Sequence, residues 1–147
     1  MNEKGFTLLE VLLVLLIISI ACAVAAPGID AVLAKAEADA ALRELVTDIR
    51  YAQQMSISRG RVYRISFNVS LQLYRISYAR HPAPAIVKQV YFPEALTLIG
   101  TNFDHHTLGF NAMGAPLAAG TLEFKDKKGR TIRVTVLPAT GRVRVYR

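Results

Sequence analysis

The sequence predicts an α+β protein: a long N-terminal α-helix, transmembrane in its first half and amphipathic in its second, packed on an antiparallel β-sheet or sandwich head. Three observations carry this. An apolar run from Phe6 to Ile29 holds a single charge, Glu10. Leu42, Leu45, Val46, Ile49 and Ala52, with small Ser56, then recur at the helical period and form one apolar stripe. From Val62 onward, short runs alternate apolar and polar residues between Gly, Pro and Asn breaks, the pattern of half-buried strands. The expected organisation is a leader over 1–5, a membrane helix over 6–29, an amphipathic continuation over 30–60 and a β head over 61–147.

The first helix sets the terms for the rest. Its run of about 24 residues rises roughly 36 Å, enough to cross a bilayer. A charge at mid-helix costs about 2.5–3.5 kcal/mol on insertion, so Glu10 calls for a partner or a function. A secretory signal with cleavage at Ala21-Cys22-Ala23 expects a basic start and an unbroken apolar core. Here Glu3 offsets Lys4, and Glu10 breaks the core. A lipoprotein site at Cys22 has Ser19 where an aliphatic residue is preferred. A plain signal anchor leaves Glu10 unexplained. Pro27 lacks an N–H and is expected to kink or locally melt the helix near the membrane exit.

Gly5-Phe6-Thr7-Leu8-Leu9-Glu10, followed by an apolar run to Pro27, resembles the N-terminus of type IV pilins and type II secretion pseudopilins. The resemblance implies cleavage between Gly5 and Phe6 by a prepilin peptidase, N-methylation of Phe6, and an assembly role for Glu10. A carboxylate in hydrocarbon is tolerable beside a cation, and the freed amine of Phe6 on a neighbouring subunit is one. The implied location is the cytoplasmic (inner) membrane, single-pass with the head exported, and then a cell-surface or periplasmic fibre.

Charge is unevenly spread. Residues 1–40 carry two basic and five acidic side chains, whereas 41–100 and 101–147 each carry eight basic and three acidic, so the head is strongly basic. A basic surface attracts phosphate, anionic lipid or acidic protein faces, although scattered charge is by default a solvated surface. The one cysteine, Cys22, lies in the apolar helix, so the head is held by packing without a disulfide.

Arg43, Asp48 and Arg50 fall off the apolar stripe, and Gly60 after Arg59 is a helix stop. Strands are expected at Val62–Val69 and Leu71–Tyr78, split by a turn at Asn68–Ser70. Further strands are expected at Ile86–Phe92, Leu96–Ile99, Leu108–Phe110, Thr121–Lys125, Arg130–Leu137 and Arg142–Arg147. His81-Pro82-Ala83-Pro84 and Gly100–Thr107 are expected loops, Asn111–Pro116 a turn, and Asp126-Lys127-Lys128-Gly129 a hairpin turn.

This head is most similar to the GspH/FimT group of minor pilins and pseudopilins. The carrying features are Glu44-Leu45 through Arg59-Gly60, the turn Phe110-Asn111-Ala112-Met113-Gly114, and the terminal Thr140-Gly141-Arg142-Val143-Arg144-Val145. Alternation places Arg142, Arg144 and Tyr146 on one face of the last strand. If that strand pairs with the one before it, Arg133 joins them. Residues 129–147 hold five arginines and no acid. Arginine forks suit phosphate oxygens and an aromatic ring stacks on an unpaired base. Gly141-Arg142-Val143-Arg144 resembles a Gly-Arg-x-Arg motif of FimT-like pilins associated with DNA uptake and competence. A solvated edge blunted by charge, or a protein contact, explains the same residues.

Enzyme chemistry finds no support. His81, His105 and His106 are the only histidines, with no Cys or His at metal-ligand spacing, so no metal and no cofactor is expected. There is no phosphate loop, nucleophile elbow or obvious carboxylate pair. Asn68-Val69-Ser70 matches a glycosylation acceptor by pattern alone. The expected partners are the prepilin peptidase, other pilins or pseudopilins in a fibre, the membrane, and DNA. The sequence leaves two branches open: a pilus component that contacts DNA, and a type II secretion pseudopilin without a nucleic-acid role.

Overall fold

The structure, a computed structural model, describes residues 6–138 and 140–147, and the side chains of 25–28 are set aside. It divides into two units, Met1–Ala34 and Lys35–Arg147. One helix, α1 (Leu8–Arg59), begins in the first and ends in the second.

In the first unit, α1 opens with a cap. The Thr7 hydroxyl accepts from the Glu10 N–H at 3.3 Å, and the Thr7 carbonyl from the Val11 N–H at 3.2 Å. Thr7-x-x-Glu10 has the spacing of a capping box, and Glu10 sits in the positive first turn of the helix. The apolar side chains from Leu8 to Val24 are exposed. The helical assignment runs on through position 27 without a break, so local melting there is not seen.

The second unit holds the last part of α1 and eight strands: β1 (Tyr63–Asn68), β2 (Leu73–Tyr78), β3 (Ala85–Tyr91), β4 (Leu96–Thr101), β5 (Thr107–Phe110), β6 (Gly120–Asp126), β7 (Thr131–Val136) and β8 (Val143–Tyr146). They form two four-stranded antiparallel sheets, ordered β3-β2-β1-β5 and β4-β6-β7-β8. The periodic stripe of α1 is the buried one: Ala38, Leu42, Leu45, Ile49, Ala52 and Ser56 are closed off from solvent, and Val46 is half-buried at its rim. Each fully buried Leu or Ile contributes about 1.5–3 kcal/mol, so this stripe is what fixes the helix to the sheets. Gly60 ends α1 in a left-handed conformation, φ +60°, with Arg61 N–H on the Ser56 carbonyl and Gly60 N–H on the Ile57 carbonyl, a Schellman stop.

Aromatic rings join the two sheets. Phe67 of β1 lies 6.2 Å from Phe103, Tyr74 of β2 lies 5.4 Å from Phe92, and Phe92 meets Phe124 of β6 edge-on at 5.1 Å. Gln72 crosses the same seam, donating to the Leu98 carbonyl at 2.9 Å and accepting from the Leu98 N–H at 2.7 Å.

The strand limits depart most from expectation at the turn before β2 and across Gly100–Thr107. β2 starts at Leu73 because Leu71 and Gln72 are used by the turn: Asn68 Oδ1 accepts from Leu71 N–H at 2.8 Å, and Gln72 adopts φ +50°. The segment Gly100–Thr107 is not one loop. β4 reaches Thr101, β5 begins at Thr107, and a single 3-10 turn at Asp104–His106 lies between.

Candidate functional site

Gly5 lies outside the described residues. Phe6 and Glu10 are exposed at the start of the apolar helix, and the cap at Thr7 gives the Glu10 backbone a local partner that the sequence motif alone did not suggest. Pro27 lies within α1.

The basic residues of the C-terminal strands come together through strand register. In the β7–β8 ladder Arg133 stands opposite Tyr146 and Thr135 opposite Arg144. Directly opposed residues share a face. Ile132, Val134 and Val136 are buried, so Arg133, Arg144 and Tyr146 occupy the outer face. Arg142 precedes β8, exposed, with its carbonyl accepting from the Leu137 N–H at 3.0 Å. β8 is the edge strand of its sheet, so this face adjoins a free backbone edge.

Two features correct the simple picture of an arginine-only patch. Register places Glu123 of β6 directly across from Arg133, at 3.6 Å between Oε1 and Nε. Residues 129–147 hold no acid, and Glu123 lies before them in the chain. Arg147 faces away: its guanidinium donates to Asp39 of α1 at 2.8 Å. Among the described residues, the cation of this face without an ion-pair partner is Arg144, beside Tyr146, with exposed Arg142 just before the strand. Thr121 and Thr135, hydroxyl to hydroxyl at 3.0 Å, continue the face as a neutral hydrogen-bonding surface.

A second constellation was missed. Asp48, expected off the stripe, is buried. Its Oδ2 accepts from the Tyr74 hydroxyl at 2.5 Å, and both its oxygens accept from Lys88 Nζ at 2.9 and 2.8 Å. Lys88 also reaches Glu44 Oε1 at 2.9 Å. Burial, followed by the bond to Asp48, raises the Tyr74 hydroxyl far above the usual phenol range. Partial burial opposes the Lys88 ammonium, but the bonds to Asp48 and Glu44 outweigh it and raise Lys88 above the ordinary lysine value. The cluster ties α1, β2 and β3 together; among the described residues its bonds are internal, which marks it as structural.

Gln53 is a further residue the sequence did not single out. Its Nε2 donates to the Gly114 carbonyl at 2.7 Å and to the Thr140 carbonyl at 3.2 Å. The Phe110–Gly114 turn and the Thr140-Gly141 loop thus close on one helical amide. Gly141 sits at φ +65°, where an added Cβ would stand 2.8 Å from that Nε2 and 3.1 Å from the Phe110 ring. Gly114 sits at φ +79°, with the place of its Cβ 2.6 Å from Ile57. Asp104, His105 and His106 are exposed on their 3-10 turn, and no group of three or more His, Cys, Asp or Glu side chains capable of holding a metal occurs among the described residues.

A family model for the prokaryotic N-terminal methylation motif matches residues 1–26, and one for the type II transport protein GspH matches residues 41–140. The chain belongs to the GspH family. Comparison with curated protein sequences returned no match. Among solved structures, the minor pseudopilin EpsH of the Vibrio cholerae type 2 secretion system is similar at a TM-score of 0.63 and 16% identity, over 75% of this chain and 96% of that one. The type IV minor pilin FimU of Pseudomonas aeruginosa is similar at 0.62 and 18% identity, over 77% of this chain and 90% of that one. At these identities the likeness is one of fold.

Proposed function

We propose that this chain is a minor pilin or pseudopilin, a structural subunit rather than an enzyme, which a prepilin peptidase cuts between Gly5 and Phe6 and which then enters a type IV pilus-like fibre. The observation that carries this is the methylation-motif match over residues 1–26, lying on an apolar helix whose continuation bears a GspH-family head. Before assembly the protein sits in the cytoplasmic membrane by this helix, head exported, with Pro27 bending the helix near the exit. Phe6 carries the methylated amine. Glu10 meets that amine on a neighbouring subunit. N-terminal sequencing of membrane-extracted protein is expected to begin at Phe6; a start at Val24 would return the chain to the secretory-signal class.

The outer face of β7 and β8 is the part of the head suited to nucleic acid. Arg142 and Arg144 contact phosphates, Tyr146 offers a stacking surface, and Arg133, restrained by Glu123, contributes less. In a salt titration of the head (from Asp30 onward) on duplex DNA, affinity is expected to fall steeply with salt. It should drop about tenfold or more in R142A/R144A and much less in R133A. An unchanged double variant removes the DNA reading. The second reading, a type II secretion pseudopilin that contacts sister subunits without nucleic acid, is supported by the GspH family match. It predicts that the same double variant alters subunit contacts alone.

A further inference from the structure

The hairpin between β6 and β7 lies at the end of the head where the chain of α1 enters it. Lys35 and Asp39 of α1 line one groove with Asp126, Arg130 and Ile132 of the hairpin. Six basic side chains gather there: Lys35, Lys125, Lys127, Lys128, Arg130 and Arg147, all exposed. The two acids among them are already engaged. Asp126 accepts from the Lys128 and Arg130 N–H groups at 2.9 Å each and from Arg130 Nε at 2.7 Å, and Asp39 accepts from Arg147 at 2.8 Å. Among the described residues the four lysines have no ion-pair partner. Asp30, ahead of Lys35, and Glu94, ahead of β4, are the further acids nearby, which leaves the lysines in excess. Glu37 lines a different groove, with Tyr91 and Phe92. The turn presenting Lys127 and Lys128 is fixed: Gly129 adopts φ +77°, and its N–H donates to the Asp126 carbonyl at 2.9 Å.

We infer that this lysine patch docks on anionic phospholipid headgroups of the bilayer proposed for α1, giving the head a second hold on the membrane. Chain length argues for that partner. Lys35 is six residues past Ile29, where the apolar run ends, so even a fully extended connection keeps it within about 20 Å of that residue. Attraction to a charged surface acts over a Debye length, about 8 Å at physiological salt, and the tether holds the patch where such approaches recur. Lysine ammoniums are compact point charges that meet a laterally mobile phosphate without demanding a fixed geometry. Each one near an anionic surface strengthens the attachment about fivefold. The arginines proposed for nucleic acid are separate: register puts Arg144 opposite Thr135, with Arg142 beyond it, towards the end of β7 away from this hairpin. The inference rests on the membrane reading of α1 and goes beyond it, making the placement of the head depend on lipid charge. A subunit leaving the bilayer gives up these contacts, so anionic lipid holds it back.

The test uses the full chain, with C22S removing the native thiol, reconstituted into vesicles that carry a trace of lipid with a quencher on its headgroup. Position 97 stands opposite Lys125 in the β4–β6 ladder. A dye on T97C should be quenched at least about threefold more in equimolar phosphatidylglycerol and phosphatidylcholine than in phosphatidylcholine alone, and about 0.5 M salt should abolish the difference. A dye on M113C, in the turn closed by Gln53, should show no such difference. K127E/K128E should abolish the response at T97C, K127R/K128R should keep it, and R142A/R144A should leave it unchanged. Flotation with phosphatidylcholine vesicles is measured first. A chain that does not float lacks the anchor, and the inference falls with it. A chain that floats yet shows no dependence on lipid charge at T97C overturns the inference alone and leaves the anchor standing. So does a response that survives K127E/K128E or appears equally at M113C.

Discussion

Asp48 is joined to Tyr74 and Lys88, residues 26 and 40 positions further along the chain. Its truncation therefore has consequences that truncation of its neighbour Glu44 lacks. Asp48→Ala leaves a Tyr74 hydroxyl without an acceptor in the core and is expected to cost about 2 kcal/mol. Glu44→Ala, half-exposed, should cost less than about 1 kcal/mol. Urea midpoints of the two variants check this, and equal shifts would contradict it. The same cluster sets a pH limit. Tyr74 and Lys88 both hold their protons more tightly folded than unfolded. Their contribution is complete below the unfolded values of 10.0 and 10.5 and is lost as pH rises through the folded ones. Urea midpoints should therefore fall as pH is raised above about 10, and Tyr74→Phe should flatten that fall. None of this was legible from periodicity. A carboxylate at the rim of an apolar stripe reads as outward-facing until a cation and a phenol from later strands are known to reach it. Glu123 escaped notice for a similar reason: only the β6–β7 register sets it against Arg133.

At the scale of elements, local chemistry was more informative. β1, β6 and β7 fall within about two residues of the alternating runs, and Gly60 stops α1 where Arg59-Gly60 promised. Period-2 alternation and left-handed glycines act within a few residues, so a sequence displays them. The outer face of β8 was visible for the same reason, whereas the Gln53 bonds join elements far apart in sequence. Glycines of similar φ should separate these cases. Gly60→Ala meets nothing within 4 Å and bears only the left-handed conformation, about 1 kcal/mol. Gly141→Ala adds contact with Gln53 and Phe110 and should cost about 2 kcal/mol or more. Because the close atom belongs to Gln53, Q53A should recover part of the Gly141→Ala loss but none of the Gly60→Ala loss. Thermal midpoints of the double variants decide it.

For the whole molecule, the N-terminal motif is contiguous and could be read directly, while the role of its acid depends on a neighbour. Glu10 has two positions to fill: the first turn of α1, where its charge suits the helix dipole, and the proposed pairing with a neighbouring amine. Glu10→Ala is expected to insert in the membrane normally and to be recruited poorly to fibres, measured as the ratio of sheared-fibre to membrane protein. Glu10→Gln, which keeps the size and removes the charge, should be equally poor; normal incorporation of either would refute the pairing.

The lone thiol at Cys22 leaves residues 30–147 without any covalent cross-link. Under traction along α1, load passes to the sheets through the backbone at Gly60 and through side chains: the Leu45 and Ile49 stripe, the Asp48 cluster, the Gln53 amide and the Arg147–Asp39 pair. Once these shear, no loop is locked, and the chain beyond Gly60 can pay out roughly 300 Å of extended polypeptide. A stapled head would keep part of that length hidden. This one gives way at a force set by packing and is indifferent to whether its surroundings are oxidising.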